Sequence, residues 1–192
     1  MKNSKVKEIL IPAVSLFLIC IVVTALLALT NSVTAPKIAQ LAVDTENNTK
    51  KVVLQQAESF SDAKTAEKDG TEYTYYDGLS ADGETVGYVF STSAKGYGGD
   101  IDVMVGVGTD GTVKGVSILS ISETAGLGMN AKNEKFLNQF LGKTSGITVT
   151  KNSPADNEIQ TLTGATITSK AVTSAVDTAL ELYESIGGGN NG

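Results

Sequence analysis

The chain has 192 residues, with 21 acidic against 15 basic side chains for a formal net charge of −6, and it contains no His, Trp or Arg. A single Cys excludes an intrachain disulfide, and the lack of His excludes Ser-His-Asp and Cys-His nucleophilic sites and leaves an imidazole-ligated zinc, copper or haem site without ligands. The sign of the charge excludes nucleic acid as a partner, because a phosphate backbone would be repelled.

The N-terminal element comes first. Ile9 to Thr30 carries no charge, and at the helical rise of about 1.5 Å per residue it reaches roughly 33 Å, enough to cross a bilayer core. Lys2, Lys5 and Lys7 precede it, so the positive-inside rule puts residues 1–8 in the cytoplasm, 9–31 in the membrane and the remainder outside. A cleaved signal peptide is the competing reading, with Val33-Thr34-Ala35 as its site. The apolar run exceeds an ordinary signal core, and Pro36 follows the candidate cleavage point. Phe17-Leu18-Ile19 before Cys20 does not suit lipoprotein processing, which leaves Cys20 as a small apolar residue facing lipid or another helix.

Residues 32–60 read as a stalk and first helix, entered at Pro36 and made of two amphipathic pieces interrupted around Asn47-Asn48. Residues 61–84 are polar, with Asp-Gly turns around one short strand, Tyr73 to Tyr76. Three strands follow: Thr85 to Thr92, Ile101 to Gly108 and Thr112 to Ile121, the last two joined by a Thr109-Asp110-Gly111 turn. With the helices on either side, this order predicts an α+β domain over 61–186 with an antiparallel sheet, ending in a glycine-rich, disordered tail at 187–192.

Three short motifs carry chemistry. Gly96-Tyr97-Gly98-Gly99 and Glu123-Thr124-Ala125-Gly126-Leu127-Gly128 are glycine-rich loops at strand ends, where backbone can approach a flat ligand closely. Thr163-Gly164-Ala165-Thr166 is a tight turn that opens a helix. Ile167, Ala171, Val172, Ala175, Val176, Ala179, Leu180 and Tyr183 recur at helical spacing and form its expected buried stripe. Thr166 therefore stands at or next to an N-cap, where free N–H groups and the helix dipole favour a phosphate. An ordinary capping threonine is the alternative. A hydrolase with Thr166 as its nucleophile would lack an evident base, Lys170 alone being near in sequence.

The ordered set of these three motifs strongly resembles the FMN-binding domain family. Together with the span, the chain resembles those members that serve as G subunits of Rnf-type complexes, membrane-bound ferredoxin:NAD oxidoreductases that couple electron transfer to ion translocation. The resemblance implies FMN joined to Thr166 by a phosphoester, placed there by a separate flavin transferase that takes FMN from FAD. It also implies Thr163, Gly164, Ala165 and Thr168 around the phosphate and Glu123, Thr124, Gly126, Leu127 and Gly128 along the ring; Thr163 and Thr168 either bond phosphate oxygens or merely cap the helix, and Tyr97 either shields the ring or is an ordinary loop aromatic. The expected partners are the other membrane subunits of such a complex, since an extracytoplasmic domain cannot meet cytoplasmic NADH or ferredoxin directly. Independent turnover by this chain is not expected.

Two positions depart from the family pattern. Gln160 stands where the attachment signal often has Asp, and Ala125 where the loop commonly has Pro. The second loosens the loop by up to ~1 kcal/mol through unfolded-state entropy. The alternatives are a component like the C subunit of sodium-translocating NADH:quinone reductase, and a membrane-anchored extracytoplasmic binding module without flavin.

Overall fold

The computed structural model describes residues 2–187, with side chains from Glu8 onward, so the C-terminal tail beyond Gly187 lies outside the described residues. The chain divides into two compact units, residues 1–45 and 46–192.

Helix α1 runs unbroken over Lys2–Val53 with Pro12 and Pro36 inside it. The expected break at Asn47-Asn48 and the helix start at Pro36 are therefore corrected. In the first unit α1 is long and apolar enough to cross a membrane, and the side chains of its apolar stretch are exposed. At the polar end of that stretch the hydroxyls of Thr30, Ser32 and Thr34 donate back to the carbonyls of Leu26, Leu29 and Thr30, which satisfies them within the helix itself.

The second unit is an α+β domain around an antiparallel sheet, as the sequence predicts. Its strands are β1 (Ser59–Phe60), β2 (Lys64–Lys68), β3 (Thr71–Leu79), β4 (Thr85–Lys95), β5 (Asp100–Gly108) and β6 (Val113–Ser120). They lie in the order β1-β3-β4-β5-β6, with β2 also paired to β3. The polar 61–84 region thus holds more strand than its sequence suggests. After β6 come two 3₁₀ turns flanking the short helix α2 (Glu134–Leu137) and a parallel pair, β7 (Thr148–Thr150) with β8 (Glu158–Gln160). Helix α3 (Thr166–Ser185) closes the domain.

Both faces of the sheet are covered, which is why β5 is buried almost throughout. On one face Ile101, Val103, Val105 and Val107 of β5 pack with Val172, Ala175, Val176, Ala179 and Leu180 of α3. The Thr92 hydroxyl donates to the Ala175 carbonyl at 2.9 Å, and Tyr183 donates to the Thr109 carbonyl at 2.7 Å, so α3 is tied down at its middle and its end. On the other face Met104 and Val89 meet Val53 and Leu54 from the end of α1. That end sinks to backbone contact: a Cβ on Gly115 would stand 2.5 Å from the Val53 carbonyl oxygen, and one on Gly106 closer still.

Candidate functional site

The site is built where α3 begins. Gly164 has φ +75°, a conformation that other residues adopt only with strain, and it turns the chain from β8 into the helix. Ala165 is the N-cap with φ −132° and ψ 46°, and Thr166 is the first helical residue. Ser169, fully buried, locks the turn. Its hydroxyl donates to the Ala165 carbonyl at 2.9 Å and accepts the Leu162 N–H at 2.9 Å, while the Ala165 N–H closes onto the Leu162 carbonyl at 3.1 Å. No side chain caps the helix, so neither Thr163 nor Thr168 fills that role, and the N–H groups of the first turn have no intrahelical partner. The half-buried Thr166 hydroxyl makes no hydrogen bond among the described residues.

A cleft of about 530 Å³ lies beside Thr166. Glu123, Thr124, Leu127 and Gly128 form one side; Gly164, Ala165, Ile167 and Thr168 form the other, and Tyr97 stands at the rim. The second and third motifs are thereby brought to one cleft, although Gly126 and Thr163 do not line it. Gly126 takes φ +76° at the turn, and its carbonyl accepts from Asn130. Thr163 lines an adjoining cleft instead. Lys170 is exposed and lines neither.

Glu123 has a structural task that its sequence motif does not reveal. One carboxylate oxygen accepts the N–H groups of Tyr97 at 2.7 Å and Gly98 at 3.3 Å, which stitches the first glycine loop to the second and holds Tyr97 at the cleft. Gly96 and Gly128 leave room for this carboxylate, since a Cβ on either would collide with it. Ile167, expected in the buried stripe, is instead 53% exposed at the rim, along with Tyr97 and Leu127. The reason is geometric: position 167 precedes the turn of α3 that first meets the sheet.

These residues fit a flat, largely apolar ring tethered through a phosphate. Tyr97, Leu127 and Ile167 make the rim apolar, Gly128 and Gly164 line the cleft without side chains, and an uncapped helix N-terminus adjoins a hydroxyl that has no partner among the described residues, an arrangement that holds anionic oxygens without arginine.

Residues 96–181 match the FMN-binding domain, and residues 1–49 match the N-terminal region of RnfG. The G subunit of the Na(+)-translocating ferredoxin:NAD(+) oxidoreductase complex of Acetobacterium woodii is 38% identical over 187 residues, covering 89% of each chain. The chain belongs to the family of Rnf-complex G subunits. Another such G subunit, from the proton-translocating complex of Clostridium ljungdahlii, is 37% identical and covers 91% of each chain. Among solved structures, the C subunit of the Na(+)-translocating NADH-quinone reductase from Parabacteroides distasonis superposes with a TM-score of 0.56 at 21% identity. It covers 73% of this chain and 91% of its own, a likeness of fold. Whole-length similarity of the kind seen with the G subunits is thus what sets this Rnf-type chain apart from the quinone-reductase alternative.

Proposed function

We propose that this chain is the G subunit of a membrane-bound, ion-translocating ferredoxin:NAD oxidoreductase complex, and that it carries FMN joined by a phosphoester to Thr166. The observation that carries the attachment is the unbonded Thr166 hydroxyl at an uncapped helix N-terminus, within a cleft whose rim is apolar. FMN bound there supplies one- and two-electron transfer. The chain's own residues do the rest. The first-turn N–H groups and the positive end of α3 hold the phosphate oxygens. Leu127 and Ile167 exclude water from the ring, and Thr124, exposed and without a side-chain partner, offers a hydroxyl to its edge. Thr168, 2% exposed, presents a second hydroxyl within the cleft.

In this reading a separate flavin transferase forms the ester. In this reading Lys2, Lys5 and Lys7 keep the N-terminus in the cytoplasm, and the FMN-binding domain stands on the other side of the membrane. Electrons then reach it through the other membrane subunits of the complex.

The test is the intact mass of the full chain in detergent after co-expression with a flavin transferase, with Thr166→Ala as control. An added FMN less water, absent in the variant, is expected. Because the hydroxyl has no partner, Thr166→Ala should alter the unfolding midpoint only slightly. An unmodified wild-type mass with active transferase would leave a membrane-anchored binding module in place of an electron carrier.

A further inference from the structure

A second cleft, of about 600 Å³, shares Gly164 and Thr166 with the first, so Thr166 sits where the two meet. Its lining differs in kind. Asn133, Lys135, Lys151, Gln160, Thr161 and Thr163 contribute polar side chains, none of which has a hydrogen-bond partner among the described residues. No acidic side chain lines it, in a chain that carries 21. The wall at Gln160 is fixed: its N–H donates to the Gln139 amide oxygen at 2.8 Å, and its carbonyl accepts from the same amide at 3.4 Å. An acid-free hollow with two lysines and unspent amides and hydroxyls is built for an anion.

The position of Thr166 says which anion. The inference rests on Thr166 as the attachment point. With the ring in the first cleft and its phosphorus at the Thr166 hydroxyl, a dinucleotide donor has a second phosphate to accommodate, and the adjoining hollow is the acid-free space that borders Thr166. We propose that Lys135 and Lys151 hold the diphosphate of the flavin dinucleotide while FMN is transferred, so that the acceptor chain itself supplies part of the site in which its cofactor is attached. Thr166 Oγ forms a bond to the flavin-side phosphorus, and the bond from that phosphorus to the bridging oxygen breaks. Adenylate departs with the bridging oxygen and its electron pair, and the hydroxyl proton passes to solvent or to a base on the transferase. Nothing is oxidised or reduced. The two ammonium groups offset the charge that develops on the departing phosphate.

The test compares wild type with Lys135→Gln/Lys151→Gln and with Lys135→Arg/Lys151→Arg, as full chains in detergent with transferase, magnesium and FAD. The initial rate of adenylate release should fall roughly tenfold or more in the Gln variant, about the loss of one good charge-assisted contact, and by less than about threefold in the Arg variant. Inorganic pyrophosphate, titrated into the unmodified chain and followed by phosphorus NMR line width, should bind wild type and the Arg variant and not the Gln variant. Equal transfer rates in wild type and the Gln variant would overturn the proposal, as would wild type that fails to broaden the pyrophosphate line. A slow Gln variant that still binds pyrophosphate as wild type does would also overturn it, and would give the lysines to contacts with the transferase protein. If wild type takes up no flavin, the attachment reading is what fails, and the pyrophosphate titration decides the anion site alone.

Discussion

Ser169 and Glu123 carry structural tasks at the site that no motif announces. The Ser169 hydroxyl bridges the Leu162 N–H and the Ala165 carbonyl from a fully buried position, so its removal leaves a donor without a partner and loosens the turn that presents Thr166. Ser169→Ala should cost about 1–3 kcal/mol of stability. It should also slow flavin attachment while leaving Thr166 competent, which denaturant melts and a time course of intact mass would both register. Glu123 acts through backbone: Glu123→Ala frees the Tyr97 and Gly98 amides, whereas Glu123→Gln keeps an acceptor oxygen in place. Hydrogen exchange at those two amides is expected to accelerate strongly in the Ala variant and modestly in the Gln variant. Equal protection in all three proteins would remove Glu123 from this role. In sequence Ser169 is one more small residue in a helix, and the partners of Glu123 lie 26 and 25 positions upstream, so nothing local signals either bond.

At the level of elements, the strands that were legible are those with one buried face or two. β4 and β5 alternate or run apolar because α3 and the end of α1 cover them, and the Thr109-Asp110-Gly111 turn declares the β5–β6 hairpin. β2 was not legible because it is an edge strand with polar residues on both faces, Lys64 bonding Asp77 across the ladder. β1, β7 and β8 are two or three residues long, too short for any period to show. Asn47 and Asn48 read as a break, yet the helix passes through them. Its last turns are fixed by tertiary packing, with Val53 and Leu54 buried in the sheet and Lys50 against Glu46 and the Tyr76 ring. That packing sets a test. Gly115→Ala forces a Cβ against the Val53 backbone, which cannot swing aside as a side chain can, and should destabilise the domain by about 1–3 kcal/mol. Gly99→Ala, whose Cβ would meet only Ser122 at 3.8 Å, is the matched control and should melt near wild type. Thermal melts of the two full-length variants decide it: a Gly115→Ala protein that melts with Gly99→Ala would show that the end of α1 yields easily.

For the molecule as a whole, the ionisable groups with displaced pKa values lean one way, and this predicts how its stability depends on pH. Burial raises Tyr76 from 10.0 to about 12, helped by its 2.5 Å hydrogen bond to Glu46, and burial also raises Tyr88 and Tyr183. Hydrogen bonds to Asp77 and Glu181 raise Lys64 and Lys68 above 10.5. A group with a raised folded-state pKa stabilises the fold below its unfolded value and loses that contribution as pH climbs through the folded one. All five therefore withdraw support as pH climbs above about 10, Tyr76 up to about 12. On the acid side Asp110 is lowered, chiefly by its hydrogen bond from Lys114, so its contribution is lost only as pH falls below the usual carboxylate range. Tyr76 gives the sharpest reading of the alkaline limb because its ionisation would set a phenolate against the Glu46 carboxylate where α1 meets the sheet. Tyr76→Phe keeps the ring beneath Lys50 and loses the hydroxyl. At pH 8 the variant should be less stable by about 1 kcal/mol, the worth of one hydrogen bond. Above pH 10 its deficit should shrink, because wild type alone must then bury or neutralise the phenolate. Denaturant midpoints for both proteins at half-unit steps from pH 8 to 12 would show converging curves, and curves that stay parallel would mean that Tyr76 ionises without disturbing the joint between α1 and the sheet.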